Sequence, residues 1–318
     1  MGLLSLMTAA TLVLPLALPA SVAPPPASPL AEGGFPERAI DVTRPIRTNE
    51  PGTGVFIGSG SLGRVQVRRE VASTGEELRE TLLLADLRYT PATHWIFGAR
   101  LPIVRRSLRR GTLANDASAA GIGDLTISGK YRFYRSVGRW SDRHAAVEVA
   151  TKLPTGSTTE AAGEGLPLPL RRRLQPGTGS TDFVVDLIYQ EGRRRFVYGG
   201  DIAYFLTTAD GTGYEFGNEL RLSLDFEYIL LPIEYRRPGR ELFVLLEATV
   251  VEKRQDRLDG TSFEPTARTE ILLAPGVQYI ATERLLVSFS AQFPVYSRVA
   301  AGGLASDFDL LGEFRYAF

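Results

Sequence analysis

Asp307-Phe308-Asp309-Leu310-Leu311-Gly312-Glu313-Phe314-Arg315-Tyr316-Ala317-Phe318 ends the chain. Phe308, Leu310, Gly312, Phe314, Tyr316 and Phe318 fall on one parity, and Asp309, Leu311, Glu313, Arg315 and Ala317 on the other. Period two marks a β-strand with one apolar face. Chain ends usually fray, yet here an aromatic completes the pattern at the last residue. Taken alone, the stretch fits a soluble β-sandwich or a membrane barrel.

The same pattern runs back through the chain. From Gly63 onward, alternating segments separated by turn residues recur twelve times: 63–73, 79–90, 93–105, 121–135, 143–154, 180–190, 194–207, 214–229, 239–253, 267–280, 284–297 and 307–318. Most exceed the ~5–6 residues of a soluble strand and approach the ~9–11 needed to cross a bilayer. In 214–229, Phe216, Leu220, Leu222, Leu224 and Phe226 oppose Glu219, Arg221, Ser223, Asp225 and Glu227. The segment 239–253 alternates least cleanly, with Phe243 and Leu245 on the parity of Glu247 and Thr249.

Three features favour lipid over a buried core. Leu3 to Ala20 is apolar, broken by Pro15 and Pro19 and followed by Ser21-Val22-Ala23, which reads as a signal peptide cut after Ala23. No Lys or Arg precedes it, a departure from the usual pattern. Connections after even strands are short, such as 91–92, 191–193 and 281–283, whereas 106–120, 155–179 and 254–266 are long. Membrane barrels show this split between periplasmic turns and outer loops. An even strand number also puts both termini on the short-turn side. The fold expected is all-β: a transmembrane antiparallel up-and-down β-barrel of about twelve strands over residues 63–318. Tyr89, Trp95, Tyr134, Tyr228, Tyr279 and Tyr316 near strand ends fit an interfacial girdle. Residues 24–62, rich in Pro and Gly, read as a periplasmic tail or a plug.

Composition narrows the function. The 36 basic and 36 acidic residues balance, which argues against nucleic acid as a partner. There is no cysteine, hence no disulfide or thiolate metal site. A hydrophobic fraction of 44% with mean hydropathy −0.03 does not supply the repeated apolar runs of a helical membrane protein. Gly58, Gly60 and Gly63 have dinucleotide-fingerprint spacing, but a strand pattern follows instead of a helix. His94 and His144 lie at short-turn strand ends, away from any nucleophile–base–orienter constellation. No catalytic, cofactor or metal site is expected.

Charges on the inner parity of the strands form the informative constellation: Arg64, Arg68, Glu70, Asp86, Arg88, Arg100, Lys130, Arg132, Glu148, Lys152, Asp186, Asp201, Glu219, Arg221, Asp225, Glu227, Glu247, Glu313 and Arg315. They are candidate lumen-lining residues. They fit either a rigid salt-bridge filling or a polar pore whose opposed charges set selectivity. Leu82, Leu84, Phe243, Leu245, Leu272, Leu286 and Leu311 share that face and suit a greasy pocket or a plug contact. Arg171-Arg172-Arg173, in the longest outer loop, reads as solvated surface or a lipopolysaccharide contact. Pro102, Pro275 and Pro294 interrupt strands and remove ladder donors. Pro102 and Pro275 are the candidate wall openings for lateral exit of a solute, and Pro294 reads as a tolerated bulge.

Several stretches carry a family likeness: Gly121-Ile122-Gly123-Asp124, Lys152-Leu153-Pro154-Thr155-Gly156, Gly177-Thr178-Gly179-Ser180-Thr181-Asp182-Phe183, and Glu270 to Tyr279 ahead of Pro294-Val295-Tyr296. Their order resembles outer-membrane proteins grouped under the meta-pathway of phenol degradation, a group regarded as transporters. The likeness covers 120–318. It implies a barrel in the outer membrane of a Gram-negative bacterium, in contact with its lipids and lipopolysaccharide. It also implies passive uptake of small hydrophobic or aromatic solutes. The last strand resembles the closing strand of bacterial outer-membrane barrels, which implies that Phe318 is the signal read by the barrel-assembly machinery. The alternative function is a non-transporting structural or adhesion barrel whose outer loops bind a surface ligand; an outer-membrane enzyme ranks third.

Overall fold

The structure is a computed structural model. It describes residues 59–317 except 74, 93, 110–115, 140, 161–165, 234–239, 264–265, 283–284 and 301–302, with the backbone alone for 59–64 and 317. The expected signal peptide, most of the 24–62 segment, the Arg64 side chain and Phe318 lie outside the described residues.

Its strands are β1 (Ser59–Ala72), β2 (Glu77–Ala92), β3 (Trp95–Arg109), β4 (Ala117–Ile122), β5 (Thr126–Gly138), β6 (Ser141–Lys152), β7 (Asp182–Arg193), β8 (Phe196–Leu206), β9 (Tyr214–Glu215), β10 (Glu219–Leu231), β11 (Glu241–Lys253), β12 (Asp256–Leu258), β13 (Thr261–Phe263), β14 (Arg268–Ile280), β15 (Leu285–Val299) and β16 (Leu304–Ala317). A helix, α1 (Leu168–Leu174), follows β6. The main sheet runs β2-β1-β16-β15-β14-β11-β10-β8-β7-β6-β5-β3-β4, and β2 also pairs with β3, so the sheet closes on itself. β4 and β5 pair in turn along the same β3 edge and share one place in the wall. The thirteen strands of this sheet therefore make a twelve-stranded antiparallel barrel. β9, β12 and β13 form a separate small sheet in the outer loops.

Closure explains why such a sequence folds this way. In hydrocarbon every backbone N–H and C=O needs a protein partner, and a closed ladder supplies them. The outer row then only has to be apolar. In β10, Leu220, Leu222, Leu224 and Phe226 are 41%, 42%, 61% and 46% exposed, while Ser223 and Glu227 are 0% and 3%. The terminal stretch does the same: Leu310, Phe314 and Tyr316 face out, and Asp309, Leu311 and Glu313 face in. The exception in β11 has a cause. Phe243 points inward because it packs with Ile229, Ile280 and Leu286 in an apolar cluster at the short-turn end.

The two ends of the barrel differ as expected. Only two residues separate β2 from β3 and β7 from β8, whereas 153–181 and 254–267 form long excursions at the other end. Aromatics gather at the short-turn end. Trp95 stacks on Phe97 with centroids 6.0 Å apart and meets Tyr131 at 4.7 Å, and Phe196 lies 5.2 Å from Tyr228. The glycine fingerprint runs into β1, a strand. His94 sits in the β2–β3 turn, and His144 Nε2 lies 3.0 Å from Gln190 Oε1.

Candidate functional site: the mouth and wall of the barrel

The long β6–β7 connection turns inward. α1 lies in the outer mouth, where Leu174, fully buried, packs with Ala72, Leu78, Leu108, Ala117, Ala119 and Leu304, backed by Leu166 and Leu170. Seven residues are too few to hold a helix by themselves, so docking stabilises it. The arginine triplet is accordingly not a free outer-surface cluster. Arg171 is exposed. Arg173 Nη2 bonds Glu70 Oε2 at 2.6 Å, and Arg172 Nη1 meets Asp210 at 2.9 Å while its Nη2 donates to Thr212. Burial pushes the Asp210 carboxyl up, but hydrogen bonds from Thr212 and the Tyr214 amide, with the Arg172 charge, outweigh it and hold that carboxyl below its ordinary range. This clasp is therefore intact at neutral pH and weakens only as pH falls through the lowered value. Tyr214, whose hydroxyl donates to the buried Asp256 at 2.8 Å, is pushed up by burial and by that carboxylate.

The glycine motifs meet in one place beneath this loop. The wall strand breaks at 123–125, between β4 and β5, beside Pro102 of β3. The break is filled from within the protein. Gly123 N donates to Pro102 O at 2.8 Å, Leu153 N to Leu125 O at 2.8 Å, and Leu125 N to Thr155 Oγ1 at 2.8 Å. Asp124, buried, accepts from the amides of Gly156 and Thr178 at 2.9 and 2.8 Å. Backbones touch here: a Cβ on Gly156 would lie 2.7 Å from the Gly123 carbonyl carbon and 2.8 Å from Gly177 Cα. Overpacking of this kind costs ~1–3 kcal/mol. Gly156→Ala should therefore loosen the 153–181 loop. The measurement is protease cleavage of that loop in the folded barrel, which should speed up while the barrel itself still resists.

The wall parts elsewhere. β15 and β16 pair from Leu285↔Tyr316 up to Gln292↔Asp309. Beyond that point residues 293–299 pair with β14 and residues 304–308 with β1, and no ladder among the described residues joins the two strands. Pro294 sits in this split, next to a bulge on its own strand at Val295, which the β14 ladder skips. The β14–β15 ladder also skips Ala274 and Pro275, just below. The bulge expected at Pro294 is thus present and adjoins the point where β15 and β16 part, while the 153–157 loop hydrogen-bonds across the break near Pro102. Glu270, buried, spans the top of the split. It accepts from Ser306 N and Oγ at 2.8 Å each and from Ser297 Oγ at 3.0 Å. A cavity of about 50 Å³ lies behind it, reaching from Arg68, Arg221, Glu247 and Arg268 inside to Phe293, Pro294 and Phe308 at the wall.

The other expected lumen residues with described side chains, Arg68, Glu70, Asp86, Arg88, Arg100, Lys130, Arg132, Glu148, Lys152, Asp186, Asp201, Glu219, Arg221, Asp225, Glu227, Glu247, Glu313 and Arg315, are buried or half-buried on the inner face. Ion pairs knit them. Asp86 meets Arg88 at 3.0 Å and Arg100 at 3.1 Å, Lys130 meets Glu148 at 3.2 Å, and Arg315 meets Glu313 at 3.1 Å. Lys152 pairs with Asp182, and Glu219 with Arg221. Near the mouth the pairs cross the interior: Arg268 of β14 reaches Glu70 of β1 at 3.0 Å, with two strands, β15 and β16, between them. Arg68 holds Asp309 at 3.2 Å, and Arg106 holds Glu80 at 2.5 Å. Glu80, Arg106, Arg268, Glu270 and Asp309 were absent from the sequence list. Their parity alone would have found them, because each shares the inner row of its strand.

Comparison with known proteins supports this fold. The COG4313 outer membrane channel from Pseudomonas putida F1 is similar, with a TM-score of 0.60 and 15% identity, over 85% of this chain and 99% of that one. The beta domain of the Bordetella autotransporter BrkA is similar at 0.51 and 11%, over 83% and 100%. No curated protein matches. A twelve-stranded barrel with a lipid-facing apolar row is an outer-membrane protein of a Gram-negative bacterium. The model of a protein family described as "Putative MetA-pathway of phenol degradation" matches residues 58–306, and the chain belongs to that family.

Proposed function

We propose that this barrel is a channel for passive uptake of small hydrophobic or aromatic solutes, which leave sideways between β15 and β16. The observation that carries the reading is the parted ladder above Gln292 and Asp309, with a cavity that joins the interior to Phe293, Pro294 and Phe308 at the wall. A solute that dissolves in lipid gains nothing from an aqueous exit, whereas an opening in the wall delivers it directly to hydrocarbon. The 50 Å³ cavity is smaller than an aromatic ring as it stands, so passage requires the strands to part further. A structural likeness to a protein described as an outer membrane channel, and the family's connection to phenol degradation, support the reading. An adhesion barrel would present its longest loop outward, whereas here α1 folds into the mouth. Transport needs no catalytic residue, and none is assigned. Lipids flank the apolar row. Lipopolysaccharide at the outer rim, where Arg171 is exposed, and the assembly machinery acting on Phe318 are the remaining proposed partners.

The test uses the absence of native cysteine. Continuing the Gln292↔Asp309 register places Phe293 opposite Phe308. Phe293→Cys and Phe308→Cys, joined by a short cleavable thiol crosslinker, should cut toluene entry into liposomes several-fold and leave folding intact. Cleaving the linker should restore entry. Undiminished entry through the crosslinked protein would sink the lateral route.

A further inference from the structure

A second cavity, of about 160 Å³, lies under α1 at the mouth. Arg68, Arg106, Arg172 and Arg173 line it, with Leu78 and Phe216 as its apolar side. Two carboxylates, Glu70 and Glu80, also line it, paired with Arg173 and Arg106. Asp309 and Asp210, which partner Arg68 and Arg172, approach from outside this lining. The Arg172 fork is fixed in place, with Nη1 on Asp210 and Nη2 on Thr212. Its Nε is buried and has no hydrogen-bond partner among the described residues. An unmade bond on a buried donor is costly, and an incoming acceptor removes that cost.

From these features we infer that the mouth cavity is a capture site for a small aromatic carboxylate. Guanidinium groups match a carboxylate in geometry and charge. The volume suits one ring, since a cavity of ~150 Å³ admits benzene. Leu78 and Phe216 give the ring a seat that inorganic anions would not use. A bare neutral ring would fill the space but leave the Arg172 donor unanswered. Arg68 lines both this cavity and the one behind the β15–β16 split, so a captured molecule is one residue away from the wall. The inference rests on the channel reading for its purpose, but its chemistry stands on the cavity.

Titration calorimetry on the full chain in detergent micelles, with benzoate and its neutral isostere benzamide as probes, tests it. Benzoate should bind at least about tenfold more tightly than benzamide, the effect expected of charge-assisted hydrogen bonds. Arg172→Gln should erase that preference, and Arg171→Gln, at the exposed neighbour, should keep it. Equal affinities for the two probes in the native protein would overturn the inference, whether or not the Arg172→Gln variant folds. An unchanged preference in folded Arg172→Gln would also overturn it. Liposome flux separates the two readings: toluene entry without benzoate selectivity keeps the channel and removes the capture site. Benzoate selectivity without toluene entry does the reverse.

Discussion

Replacing Glu70 with alanine should destabilise the barrel mouth by ~3–5 kcal/mol and undock α1, the largest single effect expected in this molecule. Glu70 is 2% exposed and accepts from two guanidiniums, Arg173 at 2.6 Å and Arg268 at 3.0 Å. Removing it leaves both cations in a poorly solvated interior, and that desolvation, more than the lost attraction, sets the cost. The consequences are separable. Arg173 belongs to α1, so its release frees the helix from β1. Arg268 belongs to β14 and is already close to Glu219 and Glu270, at 3.9 and 3.6 Å, so it can shift onto them. Single-channel recording in planar bilayers should show larger and noisier conductance in Glu70→Ala. Thermal unfolding should show a lowered midpoint. Glu70→Gln should be intermediate, because it keeps one acceptor oxygen but turns its amide NH2, a donor, toward one of the two guanidiniums. A quiet, native-like conductance in Glu70→Ala would mean that apolar packing around Leu174 alone holds the helix.

Much of the barrel was legible because lipid imposes one rule on every strand. Leu220 to Phe226 could only be written one way if alternate residues meet hydrocarbon, and the twelve segments fall on the twelve wall strands. Boundaries failed where side chains are small. The fourth segment seemed to begin at Gly121 because Ala117 to Ala120 carries almost no contrast between faces, yet it pairs along β3. Parity also placed the inner charges, since an inward residue in a closed sheet has nowhere else to point. It could not give their partners, because Glu70 and Arg268 meet across a gap of two strands that no local pattern encodes. The inward turn of Arg172 and Arg173 was illegible for a similar reason: an outer loop obeys no periodicity, and only the docking of Leu174 aims it. The prolines were half legible. A proline announces a missing donor, but whether a wall then opens depends on the neighbouring strands. At Pro102 the 153–157 loop supplies the missing contacts, and at Pro294 β16 has turned to β1.

Leu224→Arg should cost ~2–4 kcal/mol in a bilayer, the depth-dependent penalty for a cation on the lipid face near the midplane. Leu224 is 61% exposed and sits at the sixth of the thirteen positions of β10. Its ladder partners are Ala248 of β11 and Gly200 of β8, so no neighbouring carboxylate on that face relieves the charge. Leu220, on the same face but at the second position of the strand, lies nearer the outer interface, where the same substitution should cost only ~0–1 kcal/mol. Ser223 is adjacent, but it is fully buried and lies 2.9 Å from Thr249 Oγ1, so an arginine there would fail by overpacking instead of by charge. Gln292 is the better inward site, because it lines the 50 Å³ cavity on the polar side of the wall, in register with Asp309. Equilibrium unfolding by guanidinium in phospholipid vesicles measures all three. The expected order of loss is Leu224→Arg, then Leu220→Arg, with Gln292→Arg close to native. The same proteins in detergent should differ less, since a micelle deforms around a charge more easily than a bilayer. Equal losses for Leu224→Arg and Leu220→Arg in vesicles would mean that β10 does not cross the membrane at the depth its apolar row implies.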